Sequence, residues 1–433
     1  MLRRTFLATG VAAVALTALA PALRAEMAAG ITAPVTISFY SYNLASAGLN
    51  NDTTMGLIND FMAENPLIKV EPIGAPSNEI LSRVQADIVA GQEPDLAQLV
   101  FRDLIYAADD LGAEALEDLA GDELAAHAEG MVPSGLDLGR VDGKTYGLAY
   151  TFSTPVMFIN ADIFREAGLD PKNPPKTWAE VKEAGMAIQQ KTDKYGFFPG
   201  AFGPIDGTFV YQSIVMSNGG IVREGNTLTF ADQPAADAVA MLRDLRDSGA
   251  YAEIDPASHM DTFAAGKLGM FLFTSAVQNR FIKAADGKFE LEVAAMPSFG
   301  DKPTAPTNSG SALFLLSKDP VKQRAAWELM KFLTSKHAYT QITSKIGYLP
   351  LRLDIVDDPQ YLKPWVDAHP MIQPNLEQLT RLTPNMAFAG PNYRQVENMM
   401  KDAATEAVLG DEDPYEVLRR AQVQAQALMP ADG

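Results

Sequence analysis

Residues 35–101 read VTISFYSYNLASAGLNNDTTMGLINDFMAENPLIKVEPIGAPSNEILSRVQADIVAGQEPDLAQLVF, and three apolar segments in this stretch have the character of strands. They are residues 35–39, where apolar residues alternate with polar ones, then residues 68–70 and 96–101. Apolar residues at helical spacing separate them, in two sets: Met55, Ile58, Phe61 and Met62, then Ile80, Leu81, Val84 and Ile88. Strands that alternate with helices predict a mainly parallel sheet with helices on both faces.

The same alternation continues through the rest of the chain. Thr177 and Glu180 have the spacing of a capping box, which predicts a helix that starts at about Trp178. Further helices are expected from Pro234, from Pro320 and over most of the chain after Tyr393, and strands at 268–273 and 313–316. About 400 residues without a long linker predict two closely joined lobes, so the predicted fold class is α/β in two lobes.

The first 25 residues have the pattern of an export signal. Arg3 and Arg4 precede a short apolar run that ends in small residues, with candidate cleavage sites at 20–22 and 23–25. The paired arginines are typical of a twin-arginine signal, and an ordinary Sec signal is the alternative. The 433 residues include no cysteine, so a lipid anchor and disulfides are not expected and the exported chain is predicted to be free in the periplasm.

The formal net charge argues against two classes of partner. It is −19 for the full sequence and −22 once residues 1–25, with their three arginines, are removed. Phosphates of nucleic acid and anionic membrane surfaces are repelled by such a chain. An anionic ligand therefore needs a local basic group to bind.

The sequence carries none of the common catalytic or metal-binding motifs. The histidines are far apart in sequence and have no metal-ligand spacing: His127, His259, His337 and His369. No nucleophile elbow and no glycine-rich phosphate loop is present. Carboxylates are abundant, but sequence cannot pair them as a glycosidase requires. We therefore predict no enzyme activity, no cofactor and no metal; a secreted carbohydrate-active enzyme and a metal receptor are the alternatives.

Aromatic and hydroxyl side chains cluster at predicted strand ends and turns. The segments are residues 40–43, 150–155 and 197–203, the second of which falls where a crossover between lobes is expected. Rings that stack on C–H faces, beside hydroxyls that form hydrogen bonds, suit a carbohydrate or polyol. Core packing or turn formation is the alternative interpretation of each segment.

Three longer motifs resemble the family 1 extracellular solute-binding proteins of ABC importers. They are TPVMFIN at 154–160 with its continuation to Trp178, FAAGKLGM at 263–270 and AWELMKFL at 326–333. The resemblance runs in order along nearly the whole chain after the signal. It implies a periplasmic receptor of two hinged lobes that traps a small solute, acts as a monomer and docks on transmembrane permease subunits. The lobes are expected at 31–151 plus 308–347 and at 152–307 plus 348–430.

Within the family the resemblance is strongest to members that bind glycerol 3-phosphate, through GYLP at 347–350 and NYR at 392–394. It implies ligand contacts at five positions: Ser153, Thr274, Gly310, Tyr348 and Arg394. Two other contacts of those relatives, one aromatic and one acidic, fall on Ser77 and Phe101, and their paired tryptophans fall at 201–208, where this chain has none. A glycerol-3-phosphate-like solute, another phosphorylated polyol or a glycerophosphodiester is thus expected, with a neutral sugar or oligosaccharide as the alternative.

Overall fold

The computed structural model describes residues 26–202 and 207–431. The predicted signal segment, 1–25, and part of the turn at 201–208 therefore lie outside the described residues. The strands in chain order are β1 Val35–Ser41, β2 Ile68–Gly74, β3 Leu96–Val100, β4 Arg140–Val141, β5 Lys144–Thr145, β6 Gly147–Ser153, β7 Pro155–Asn160, β8 Tyr195–Pro199, β9 Arg223–Glu224, β10 Thr227–Leu228, β11 Leu268–Thr274, β12 Leu291–Ala295 and β13 Ser309–Leu315.

Helices surround these strands and account for most of the remaining structure. The α-helices are α1 Leu49–Glu64, α2 Ile80–Val89, α3 Leu104–Asp109, α4 Leu116–Ala120, α5 Asp122–Ala128, α6 Ala161–Glu166, α7 Trp178–Lys191, α8 Thr208–Ser217, α9 Gln233–Asp247, α10 His259–Ala264, α11 Gln278–Ala285, α12 Pro320–Leu333, α13 Lys336–Gln341, α14 Lys363–Ala368, α15 Gln373–Glu377, α16 Tyr393–Leu409 and α17 Pro414–Gln426. A π-helical turn, Ile342–Ile346, and seven short 3-10 turns complete the set: Tyr42–Leu44, Phe101–Asp103, Asp137–Gly139, Ser275–Val277, Leu353–Ile355, Pro370–Ile372 and Gln378–Arg381.

The first lobe is built on a five-stranded sheet in the order β2-β1-β3-β13-β6. The strands predicted within residues 35–101 pair in parallel, as expected, with β1 between β2 and β3. Strand β13 pairs antiparallel with both β3 and β6, because the chain returns to this sheet from the second lobe in the opposite direction. The sheet is therefore parallel on one side and antiparallel on the other.

The second lobe contains a four-stranded sheet in the order β12-β7-β11-β8. Strand β7 pairs antiparallel with β11 and β12, and β11 pairs in parallel with β8. The strand predicted at 268–273 is thus one of the two inner strands of this sheet, and it is buried. Its phenylalanines, Phe271 and Phe273, stack with ring centroids 5.1 Å apart inside an aromatic core.

The predicted helix starts are confirmed in detail. The Thr177 hydroxyl accepts the backbone N–H of Glu180, and the Glu180 carboxylate accepts the N–H of Thr177, which is the predicted capping box. Pro234 and Pro320 each lie in the first turn of a helix. A backbone N–H at that position has no partner within the helix, so proline, which lacks one, loses no hydrogen bond there. The C-terminal stretch is helical, as expected, with one break between α16 and α17.

The chain passes between the lobes along adjacent strands. It leaves the first sheet through β6, enters the second through β7 and returns in β13. After the π-helical turn, residues 349–352 still hydrogen-bond to the first lobe: the Leu349 N–H donates to the Phe152 carbonyl and the Val132 N–H to that of Leu351. The lobe boundaries given above stay a prediction.

Over residues 26–202 and 207–431, no helix combines the length and the apolar composition that a bilayer span requires.

Candidate ligand-binding site

A cavity of about 650 Å³ lies between the two lobes, at the ends of strands from both sheets. Four of the five predicted ligand contacts line it together: Ser153, Thr274, Gly310 and Tyr348. They come from β6, β11, β13 and the loop after the π-helical turn, so residues from 153 to 348 meet at one place. A concave site between domains that combines rings with a few polar groups is the usual form of a small-molecule site.

The two hydroxyls of the site are coupled to each other. The Thr274 hydroxyl donates to Ser153 Oγ at 2.7 Å, and Thr274 Oγ1 in turn accepts the Ala276 N–H. Ser153 is buried, and Thr274 is partly exposed to the cavity. Ser153 ends β6 beside the crossover and Thr274 ends β11, so this contact joins the edges of the two lobes. A ligand hydroxyl or phosphoryl oxygen that bonds Ser153 therefore meets a hydroxyl that Thr274 holds in position.

Glycine is required at position 310 by its conformation and by its neighbour. Gly310 has φ +104°, a region that side-chain-bearing residues rarely adopt. A Cβ added there would lie 2.0 Å from the carbonyl oxygen of Thr151 in the paired strand β6. Ser309 and Gly310 both line the cavity, so their backbone polar groups can approach a ligand there.

Tyr348 borders the cavity beside a second phenol, Tyr42. Burial, and then Tyr42, raise the pKa of Tyr348 well above its ordinary value, so the phenol stays protonated and can donate a hydrogen bond. The Tyr42 hydroxyl lies 3.0 Å from Thr151 Oγ1. The loop that carries Tyr348 begins at Gly347, whose φ of +113° ends the π-helical turn.

Behind these residues a buried polar network crosses the first sheet. The amide nitrogen of Gln98 donates to Thr151 Oγ1 at 3.1 Å and to Ser311 Oγ at 2.9 Å, while its amide oxygen accepts the Ser41 hydroxyl. Thr151 and Ser311 also bond to each other at 2.7 Å. Satisfied networks of this kind fix side chains in one arrangement. Strands β1, β3, β6 and β13 are thereby held as a rigid floor for the cavity.

The fifth predicted contact, Arg394, is not brought into this group. It lies on α16 outside the cavity lining, and its guanidinium donates to Asp103 Oδ1 at 3.0 Å and to the Tyr393 hydroxyl at 3.0 Å. Burial opposes the charge, but Asp103 and Tyr393 outweigh it and raise the Arg394 pKa. Its side chain is about one-third exposed, and its role in ligand binding stays a prediction.

The Asp103 pair is part of a contact that joins the lobes across the cleft. Asp103 is fully buried after β3 and also accepts the Tyr393 hydroxyl at 2.5 Å. Burial, and then the Asp103 charge, raise the Tyr393 pKa, so Tyr393 remains a donor. The Tyr393 ring stacks on Tyr106 of α3 with centroids 5.8 Å apart. Arg102 adds an ion pair to Glu397 at 3.9 Å.

The cavity lining also includes residues that the sequence did not identify as contacts. Its charged members are Arg102, Glu397 and Lys401, and its further rings include Phe209 and Phe273. Ser77 and Phe101, the two departures noted in the sequence, both line the cavity too. The sequence could have indicated Lys401, because it follows Arg394 by about two turns of α16 and so lies on the same helix face.

Each of the four histidines contacts neighbouring residues at a separate place in the structure. Burial, followed by the Arg352 charge, lowers the pKa of His127 to about 4, and its ring lies 2.7 Å from Thr334 Oγ1. His259 is enclosed by aromatic rings, including Phe198, Phe271 and Phe273. His337 faces Asp60, and His369 contacts the Trp365 carbonyl. Among the described residues no group of three potential ligands converges on a metal position.

The family is shown by comparison with known proteins. The model of the bacterial extracellular solute-binding proteins matches residues 56–370, and this chain belongs to that family. It is thus a solute-binding component of an ABC importer, of a family that binds solutes and is not generally enzymatic. Membership implies a small-molecule ligand, a membrane permease as partner and a location outside the cytoplasm, in the periplasm.

Individual relatives cover most of the chain. A binding protein of Brucella abortus is 28% identical over 85% of this chain and 88% of its own, and the sn-glycerol-3-phosphate-binding periplasmic protein UgpB of Escherichia coli is 25% identical over 77% and 78%. Among solved structures, the cyclic alpha-maltosyl-1,6-maltose binding protein of Arthrobacter globiformis has a TM-score of 0.78 at 23% identity, covering 91% and 99% of the two chains. UgpB of Mycobacterium tuberculosis, in complex with glycerophosphocholine, has 0.77 at 20%, covering 92% and 98%. These likenesses confirm the two-lobed fold.

Proposed function

We propose that this receptor binds a phosphorylated polyol or glycerophosphodiester of the glycerol-3-phosphate kind and delivers it to its permease. The observation that carries the proposal is the composition of the cavity. The cavity is lined by the hydroxyl-bearing residues Ser153, Thr274 and Tyr348 and by Gly310. Its charged lining residues are two cations, Arg102 and Lys401, and one acid, Glu397. In a chain of net charge −19, a cavity with a positive balance favours an anionic ligand. The similarity to the glycerol-3-phosphate-binding protein of Escherichia coli and to a glycerophosphocholine complex of UgpB supports the same class.

A neutral sugar or oligosaccharide is the second candidate, and the rings of the cavity favour it. Five aromatic side chains line the same space: Tyr42, Phe101, Phe209, Phe273 and Tyr348. Such rings offer flat apolar faces to the C–H side of a sugar. The similarity in fold to a cyclic maltosyl-maltose binder is in keeping with this class.

A panel of ligands in a thermal-shift measurement distinguishes the two candidates. We expect glycerol 3-phosphate or glycerophosphocholine to raise the melting temperature, while maltose and glycerol do not. A ligand present at 100 times its dissociation constant stabilises the folded state by about 2.7 kcal/mol, which is easily measured. Inorganic phosphate at equal ionic strength is the control for a general salt effect. A shift with maltose and none with the phosphorylated compounds would make the sugar receptor the correct reading.

A further inference from the structure

The cations near the cleft differ in whether they already form an ion pair within the protein. Arg394 forms an ion pair with Asp103, whose side chain has no exposed surface, so the Arg394 charge already has a buried counter-ion. Arg102 pairs with Glu397. Lys401 lines the cavity as well, and over the described parts of the chain no side chain forms an ion pair or hydrogen bond with its ammonium group.

On this basis, and resting on the proposed function, we propose that Lys401 binds the anionic group of the ligand. Arg394 instead joins α16 to the first lobe through Asp103. A partly buried ammonium at the wall of a cavity can form a charge-assisted hydrogen bond with a phosphoryl oxygen without breaking an internal pair. Arg394, in contrast, already donates hydrogen bonds to Asp103 and Tyr393.

The position of Lys401 in the fold supports this assignment. Asn398 and Glu397, one turn earlier on α16, also line the cavity, so this helix presents a polar face to the space that holds Ser153 and Gly310. α16 packs against α9 and α17 of the second lobe, while Gly310 lies in a strand of the first. An anion between Lys401 and the Gly310 backbone thus contacts both lobes, and its binding favours the closed arrangement.

Calorimetric titration of Lys401→Ala, Lys401→Arg and Lys283→Ala with glycerol 3-phosphate, glycerophosphocholine and maltose tests the assignment. Lys283 is an exposed lysine of α11 outside the cavity lining and serves as the matched control. We expect Lys401→Ala to weaken binding of the phosphorylated compounds by roughly 10- to 100-fold, the effect of one lost charge-assisted hydrogen bond. Lys401→Arg should retain most of the affinity, and Lys283→Ala should bind as the wild type does.

The salt dependence gives a second readout that a packing defect does not produce. Binding of the phosphorylated compounds by wild-type protein should weaken as salt rises, and Lys401→Ala should reduce that slope. The melting temperature of unliganded Lys401→Ala should equal that of wild type, since its ammonium has no internal partner. Wild-type affinity in Lys401→Ala overturns this inference alone. A wild-type protein that binds only maltose overturns the proposed ligand class and this inference together.

Discussion

Arg394→Ala is expected to lower the free energy of unfolding of the unliganded protein by about 2 to 3 kcal/mol. The reason is the carboxylate that it leaves behind. Asp103 is fully buried, and without Arg394 its side chain keeps, among the described residues, only the hydrogen bond from the Tyr393 hydroxyl. A buried charge that loses its counter-ion is more costly than an exposed one. The one-third exposure of Arg394 and the remaining Tyr393 bond place the loss below that of a fully buried pair.

Chemical denaturation of the purified protein measures this effect. Arg419→Ala is the control, because Arg419 forms an ion pair with Glu416 in which both side chains are more than half exposed. That exposed pair should contribute less than about 1 kcal/mol. Asp103→Asn in the Arg394→Ala background should restore part of the stability by removing the buried charge. A loss in Arg394→Ala no greater than that of the control would mean that Arg394 is not held by Asp103 in solution and is available to a ligand.

Gly310→Ala is expected to have the largest effect on stability and on binding together, with a loss on the order of 3 kcal/mol. Alanine must adopt φ +104° or force β13 away from β6, and its Cβ meets the Thr151 carbonyl oxygen at 2.0 Å. A backbone oxygen cannot move aside as a flexible side chain can. Since β6 and β13 carry Ser153 and Ser309 into the cavity, their displacement should also abolish ligand binding.

Gly219→Ala measures the cost of a positive φ alone, without the steric clash that a Cβ makes at position 310. Gly219 has φ +89°, and a Cβ there would have no atom within 4 Å. Its substitution should cost about 1 kcal/mol and leave ligand binding unchanged. Thermal unfolding and calorimetric titration of both variants check this. If the two variants lose equal stability, the close approach of β13 to Thr151 is not what requires glycine at position 310.

The sequence predicted the elements whose signals are local. The alternation in residues 35–101, the capping box at Thr177 and the prolines that begin α9 and α12 each depend on neighbours a few residues away, and each is confirmed. The short turns between residues 353 and 381 were not predicted, because they lack a periodic apolar face and are formed by packing. The antiparallel side of the first sheet depends on the return of the chain from the second lobe.

The part of the site that the sequence did not predict depends on contacts between residues far apart in the chain. Asp103 and Arg394 are 291 residues apart, and nothing near either residue indicates that they meet. Arg394 was therefore predicted from family resemblance as a ligand contact without knowledge of its internal partner. Four of the predicted contact residues line one cavity, and their contact with a ligand stays a prediction, whereas the significance of Lys401 depends on its place in the cavity and on its lack of a partner among the described residues.

The central claim is that one small solute binds in the cavity between the lobes, and calorimetric titration of Asn398→Trp beside wild type tests it most directly. Asn398 is exposed at the cavity wall, so an indole there should fill the space without disturbing the core. With glycerophosphocholine as titrant, we predict one site per chain in wild type and no measurable binding in Asn398→Trp, at an unchanged unliganded melting temperature. Equal binding by the two proteins would contradict the account, because the ligand would then occupy another site.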